Sequence, residues 1–496
     1  MSVWEEGESV GRVGFRFAAA VATLSVVSCV GLCRGATIRV PSESPTIQSG
    51  INVALDGDTV LVAPGVYVGP GNRDVRFNGK RILVCSEAGS ENTVLDCQGS
   101  EEDPHRGFDF NSGETNESVL RGFTVTNGQA VFNGEPLSWA GSGIRISGSS
   151  GPIVDGCVVV QCRGFSAIYV ASDNARIQEC VVVDNDGMGI DAGRNPTIDG
   201  CTIASNLGGG LRGSDTLSIL NSSVIGNEKY GVYLNGCIQA LVQGCVIAGN
   251  RGGLAPSGGI ACDTVFQIAI EGCTIVGNRV SGNGAAGVDL SGGCYEVAMA
   301  NCIVDNNCDP DVRVGSECDL TFVCCAIHPG SVLLQGGTVR YSGPQVTGDP
   351  LICGAAVCTD APTTAGNYAL QTGSPCLPEN SPCGELIGAL GADCSTAGVP
   401  EVLVSDPALL VAAIPNPSRE TVSVQFVSPD AVQGRELAAS VRVFDVGGRE
   451  INSLSRILAP GQDEVRLDVD ELQPGTYFAR VRVGDREGST RFLVVR

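Results

Sequence analysis

A seven-residue phrase returns along this chain at a spacing that suits stacked coils. "GCTIASN" occupies 200–206 and "GCTIVGN" 272–278, with relatives at 156–162 (GCVVVQC), 179–185 (ECVVVDN), 221–227 (NSSVIGN), 244–250 (GCVIAGN) and 301–307 (NCIVDNN). With Ser222 standing in for one Cys, the second letters follow one another at 23, 21, 21, 23, 28 and 29 residues. Short strands recurring every twenty-odd residues mark a solenoid, because a single repeat has no partner for its own apolar face.

Each letter has a physical reading. The second is small (Cys157, Cys180, Cys201, Ser222, Cys245, Cys273, Cys302) and the fourth is β-branched (Val159, Val182, Ile203, Val224, Ile247, Ile275, Val304). Strand residues two apart share a face, so both columns point inward, and coils about 4.8 Å apart stack like on like. The closing Asn (Asn185, Asn206, Asn227, Asn250, Asn278) is expected to take the left-handed turn conformation and to hydrogen-bond along the axis. A second strand follows the Asn ("SAIYVA", "YGVYLN") and a third precedes the Cys ("RIQE", "LVQG"). Three short strands per coil, over about twelve coils, make a parallel β-helix.

The Cys column reads as buried free thiols acting as apolar filler. Metal ligands converge, whereas these lie one per coil, and parallel Cβ vectors misplace the sulfurs for disulfides. The chain has 23 Cys. Removing Cys29 and Cys33 with a leader leaves 23 − 2 = 21, an odd number, so at least one thiol has no partner within the chain.

With these columns aligned, residues 36–395 resemble the right-handed parallel β-helix proteins of the pectin-lyase-like superfamily. "TIQSGINVALDGDTVLVAPGVY" (46–67) supplies a capping helix with Ile47, Ile51, Ala54 and Leu55 on one face, then a first strand and turn. Residues 348–394 resemble the closing segment of secreted β-helix proteins. Cys353, Cys358, Cys376, Cys383 and Cys394 there point to disulfides of open pairing, since no His or acidic cluster joins them. After a linker, 396–411, the Cys-free residues 412–496 alternate as in an antiparallel sandwich. Their "VFDVGGR" and "LQPGTYF" are similar to the Ig-like C-terminal domains of flagellar hook-cap and type IX secretion-sorting proteins. The fold class is therefore all-β, a right-handed parallel β-helix followed by a small antiparallel Ig-like β-sandwich. The tail resemblance implies contact with export or sorting machinery and an outer-membrane-associated, cell-surface or secreted destination.

The opening agrees with export. Arg12 and Arg16 precede "FAAAVATLSVVSCVGL", and "CRGA" offers a cleavage site, so 1–35 reads as a signal peptide. The alternative is a lipobox ending at Cys29. No other stretch has the length and apolarity of a membrane span. A formal net charge of −23 argues against nucleic acid and anionic membrane surfaces as partners, since both need clustered Lys and Arg.

The superfamily resemblance would place adjacent aspartates and a Gly-His-Gly element in a hydrolase. The chain has no Asp-Asp pair, and His105 and His328, its two histidines, read as solvated or packing residues. No catalytic residue is assigned. One column stands out: between the inward aliphatics of the second strand run Arg145, Tyr169, Asp191, Arg212, Tyr233, Ala261 and Asp289. Stacked on an exterior face, these aromatics and charges suit a glycan-binding strip. Asp191 and Asp289, four coils or roughly 19 Å apart, are too distant for paired-carboxylate hydrolysis. A second acidic column, Asp155 and Asp199 with Gln178 between, is equally indecisive. Asp305, Asn307, Asp309 and Asp311, spaced two apart, offer ligands for Ca²⁺, although Pro310 replaces an EF-hand Gly and Ser316 its closing Glu; no other cofactor is implied. The expected function is a carbohydrate-binding or structural surface module, the alternatives being a polysaccharide lyase or glycoside hydrolase and a purely structural spacer.

Overall fold

The computed structural model describes residues 35–131, 140–253, 257–308, 310–395 and, in the C-terminal region, 410–414, 421–427, 437–445, 449–458, 464–470, 472–483 and 486–494. The expected signal peptide with Cys29 and Cys33, most of the linker, and Asp309 lie outside the described residues.

Counting each coil from the strand after the closing Asn, the second strand of the sequence pattern, a representative coil has its first strand at Ser166–Ala171, its second at Arg176–Gln178 and its third, within the phrase, at Val181–Val183. Each pairs in parallel with its counterpart one coil on: Ile168 with Ile190, Ile177 with Ile198, Val182 with Ile203. The first-strand column has ten rungs, the second thirteen and the third eleven, around the twelve expected.

The phrase maps onto backbone geometry with one correction. The left-handed residues are its first letter (Glu179 φ 51, Gly200 φ 63, Gly244 φ 64) and its sixth (Asp184 φ 53, Ser205 φ 54, Gly249 φ 60). The closing Asn is not among them. Its work is done by the side chain, which points inward and is fully buried at Asn185, Asn206, Asn227, Asn250 and Asn278. The amide oxygen of Asn227 accepts both the backbone N–H and Nδ2 of Asn206 at 3.0 Å. Nδ2 of Asn227 donates in turn to Asn250 at 3.0 Å and to the Ile203 carbonyl at 2.9 Å. The series runs to Asn307, whose two donors end on Oδ1 of Asp311 at 3.0 and 2.9 Å. A carboxylate closes this line because it accepts without presenting a donor.

The fourth-letter column is buried as expected, with Val159, Val182, Ile203 and their successors 0% exposed. Cys325, beyond the last complete phrase, adds another rung to the thiol column. These thiols sit near carbonyls of the preceding coil, such as Cys201 to Ile177 at 3.4 Å.

The ends differ from one another. Ahead of the helix a strand, Thr37–Val40, forms the first rung, so "GDTVLV" is the second. The helix, Ile47–Val53, starts at a capping box between Thr46 and Ser49 and buries Ile47, Ile51 and the following Ala54; Leu55, expected on that face, is 73% exposed. Lys80 Nζ binds the carbonyls of Ile51, Asn52 and Ala54 at 2.7–2.8 Å, satisfying helix-end acceptors with a charge matched to the dipole.

The closing segment folds back over the outer face of the third-strand sheet. Val183, Ala204, Ile225, Ala248 and Val276 are buried there beneath Tyr368, Leu370, Leu377 and Ile387. Disulfides Cys308–Cys358 and Cys324–Cys383 latch this cover to the coils, and Cys353–Cys394 closes it internally. Two partners, Cys308 and Cys324, thus come from the coil body, and Cys376 is a buried free thiol, contrary to the expected pairing set. Burial raises the Cys376 thiol to about 11 and the Cys162 thiol to about 12.

The C-terminal region forms a three-stranded antiparallel sheet (410–414, 421–427, 464–468) and a four-stranded one (450–458, 437–445, 475–483, 486–494). Val424, Val441, Val465 and Val481 are among its core residues. Its first strand opens at Leu410, inside the expected linker.

Two outcomes are expected. Asn227→Ala strands the buried amide of Asn206 and should cost about 3 kcal/mol or more in urea unfolding, whereas Ser222→Cys, which restores the column's usual residue, should cost under about 1.5 kcal/mol. A thiol reagent applied to the unreduced folded protein should label none of the 15 buried cysteines, and all of them after urea; labelling of Cys376 in the folded state would contradict the cover.

Candidate functional site

The first strand of each coil alternates inward aliphatics with one outward residue, and parallel pairing brings those outward residues into one line. The order is Asp109, Arg145, Tyr169, Asp191, Arg212, Tyr233, Ala261, Asp289, Arg313. All the residues expected in this column are brought together. Asp109 and Arg313 extend it; the strand of Asp109, "FDF", follows no closing Asn, while that of Arg313, "VRVG", follows Asn307, and the alternation itself was the available signal in both.

The line is far less open than an exterior column should be. Asp191 is 4% exposed, Asp289 and Ala261 1%, and Tyr169 9%. The reason is charge order along the stack. Arg145 clasps Asp109 through two 2.8 Å bonds, Arg212 clasps Asp191 at 2.8 and 3.1 Å, and Arg313 reaches Asp289 at 2.6 Å. Each guanidinium lies across the carboxylate of an adjacent rung and shields it from water. Most of the column's directional hydrogen bonding is therefore spent inside the protein. Arg145, Arg212 and Tyr233 remain partly exposed.

An open cleft of about 510 Å³ lies where this column meets the turns beside it, lined by Phe165, Met188, Arg212, Tyr230, Tyr233 and Asp263 among others. The Arg212 guanidinium sits 5.1 Å from the Phe165 ring centroid, and the Tyr230 and Tyr233 rings are 5.6 Å apart at 56°. Tyr230 donates to Met188 Sδ at 2.5 Å. Its ring lies against Gly209 (φ +118), where a Cβ would meet it at 2.5 Å, so this glycine makes room for the aromatic. Tyr233 accepts from Asn235 Nδ2 at 2.9 Å and donates to Asp263 at 3.4 Å. Burial raises the hydroxyl pKa of Tyr230 and Tyr233, keeping both as neutral donors. Phe165 and Tyr230 escaped the sequence reading because they precede the repeating columns. The cleft thus offers planar faces, a half-exposed guanidinium and hydroxyl, amide and carboxylate groups at its edge.

The other expected residues are placed as follows. Asp155, Gln178 and Asp199 do stack; Asp155 pairs with Arg121 at 2.6 Å and Asp199 accepts from Asn221 at 3.0 Å. His105 bridges Asp74 at 2.5 Å and Asp103 at 3.1 Å, and His328 caps a short turn through Gly330 N–H. Of the calcium set, Asn307 and Asp311 terminate the amide ladder, and Asp305 has a carboxyl pKa raised by burial first and by Asp311 second. Among the described residues, no group of three or more His, Cys, Asp or Glu side chains is arranged to hold a metal. Nor is any helix among them long and apolar enough to cross a membrane, which leaves strands unaddressed.

Comparison with known proteins gives two family matches. The family described as right handed beta helix region matches over 114–215, 142–304 and 211–368, together just over half the chain. Residues 412–496 match the secretion system C-terminal sorting domain. That domain marks the chain for secretion to the cell surface and implies export machinery as a partner. A UDP-N-acetylglucosamine 1-carboxyvinyltransferase of Desulfosudis oleivorans is 27% identical over 150 residues, which is 30% of this chain and 31% of that protein, so the match spans under a third of its length. Among solved structures, the catalytic unit of an alpha-1,3-glucanase from Streptomyces thermodiastaticus aligns at TM-score 0.37 and 13% identity over 61% of this chain and 66% of its own. Pectate lyase Pel9A aligns at 0.33 and 13% over 69% and 90%, and tailspike protein 2 of an Escherichia coli O157:H7 bacteriophage at 0.39 and 9% over 93% and 68%. Likenesses this distant transfer no chemistry.

The Asp191–Arg212 pair has a definite pH signature. Burial raises the Asp191 carboxyl above its usual 3.8, and Arg212 only partly offsets this. A raised folded pKa means that this group's contribution is fully present below the ordinary carboxylate value and is lost as pH rises through the raised one. Asp191→Asn should therefore gain stability relative to the parent between about pH 3 and pH 6, read from urea midpoints. Arg212→Gln should push the Asp191 midpoint higher still by carbonyl-carbon NMR; a downward shift would contradict the assignment.

Proposed function

The chain belongs to the right-handed β-helix family, and from that premise we propose that it is a secreted, cell-surface carbohydrate-binding protein whose glycan contact centres on the Phe165–Arg212–Tyr233 cleft. The observation that carries the reading is the pairing, in one open cleft, of aromatic faces with a guanidinium stacked on Phe165 at 5.1 Å. A sugar ring buries its apolar C–H face on an aromatic while its hydroxyls seek directional donors and acceptors, and the cleft offers both within one side chain's reach. The sorting domain supports the reading by bringing the chain to a surface where polysaccharide is available.

The carboxylates near the cleft favour holding over cleaving. Asp191 is clasped by Arg212, Asp186 lies 3.3 Å from Arg163, and Asp263 is bonded by Tyr233, Asn235 and Thr264. A hydrolase needs one carboxyl to donate and a second to attack or to activate water.

The test is a glycan array probed with the full chain, followed by the variants Phe165→Ala and Tyr233→Ala. Retention of a glycan family by the parent, weakened about tenfold by either variant, is the expected result. A blank array would leave the coil stack as a spacer, and release of reducing ends from a retained glycan would return the enzyme reading.

A further inference from the structure

A second exposed apolar line lies round the corner from the cleft, where the first strand of each coil passes into its second, and two of its three members are aromatic. Val265 and Cys294 end successive first strands, Cys237 is their counterpart within the continuous strand Val232–Gln243, and all three are buried. The next residue in each coil is Ile238, Phe266 or Tyr295, and these are 60, 57 and 44% exposed. The backbone stacks them: Phe266 N–H bonds to the Cys237 carbonyl at 3.0 Å and Tyr295 N–H to the Val265 carbonyl at 2.9 Å. The Phe266 and Tyr295 rings are 5.8 Å apart at 34°. Beside them runs a polar line, Gln239, Gln267 and Glu296, with Gln267 Nε2 donating to Glu296 at 3.1 Å. Asp263 and Ser291, which line the cleft, stand three and four residues before Phe266 and Tyr295 in the same turns.

We infer that the Ile238–Phe266–Tyr295 ladder is a second glycan contact, specific for neutral polysaccharide, and that one chain passes from the cleft around this turn; the inference rests on the carbohydrate-binding reading. Size argues against a protein occupant. Three side chains in single file span two inter-coil steps, roughly 10 Å, far short of the ~800 Å² per partner of a stable protein interface. Successive sugar rings can stack on rungs spaced in this way, with hydroxyls facing the amide and carboxylate line. Charge selects the class. The segments 238–243, 263–271 and 291–300 contain no Lys or Arg, while Asp263, Glu271 and Glu296 lie within them. Along these turns a uronate or sulfated chain would meet carboxylates with no cation in the same segments, so the cations of the cleft, Arg212 and Lys229, are left as the counter-charge to be tested by the polygalacturonate control.

The experiment measures retention of the full chain on insoluble neutral glucans, xylan, chitin and a polygalacturonate control. It compares the parent with Phe266→Ala/Tyr295→Ala and, separately, with Tyr233→Ala. The expected result is retention on a neutral polymer and not on polygalacturonate, with about tenfold loss in the double variant. Unchanged retention in the double variant with loss in Tyr233→Ala would overturn the ladder and leave the cleft. Loss only in the double variant would keep the ladder and remove the cleft as centre. Retention on none of the neutral polymers, or retention on polygalacturonate alone, would overturn the ladder's assignment. Sedimentation as a dimer that the double variant dissolves would make a second copy the occupant and overturn it equally.

Discussion

Parallel hydrogen bonding between coils forces every residue to lie over a counterpart one turn away, and nearly everything else in this molecule follows from that register. An inward column admits only residues that pack against copies of themselves at strand spacing. Val and Ile satisfy this at the fourth letter, and the small Cys or Ser at the second. The polar column at the seventh letter is the demanding case, because a buried amide without partners costs about 1–3 kcal/mol per group. Asn solves it by being donor and acceptor at once, so that each rung satisfies the next. The line is directional, since each oxygen receives from the preceding coil, and it needs an acceptor at its end. Asp311 fills that place.

The same register shapes the outer surface of the first strands. A column of like charges would repel at every rung, whereas alternation of Arg and Asp lets each charge be neutralised by its neighbour. Asp109–Arg145, Asp191–Arg212 and Asp289–Arg313 follow this rule, with Tyr169, Tyr233 and Ala261 as neutral rungs between them. The carboxylates along the sheet are thereby paired, and of this column only Arg145, Arg212, Tyr233 and Arg313 keep partly exposed side chains. Free aromatic surface survives where the register is looser, in the cleft beside Tyr230 and in the turns at Phe266 and Tyr295.

The closing segment answers a different need. The outer face of the third-strand sheet is apolar over five consecutive coils, and the segment 344–394 covers it. Its latches use cysteines outside the buried thiol columns, so oxidation at the surface leaves the interior thiols untouched. Burial raises interior thiols such as Cys97 and Cys262 far above their usual range, which suppresses the thiolate that would exchange with the latches.

Residues 156–307 alone determined the period, the three strands per coil, the two inward apolar columns and the stacked Asn side chains, because a parallel stack repeats its environment and so repeats its letters. Together with "SGIRIS" (142–147) they also aligned Arg145, Tyr169, Asp191, Arg212, Tyr233, Ala261 and Asp289 in one column, since period and register are one quantity. Tertiary structure decided what repetition does not encode. Whether Asp191 faces water depends on an Arg one coil away, in a rotamer set by its neighbours. Which cysteines pair depends on where a non-repeating segment lies, and so Cys308 and Cys324 found partners that no spacing revealed. Phe165, Tyr230, Phe266 and Tyr295 belong to turns of unequal length, where the periodic signal lapses and only the folded backbone brings the rings together.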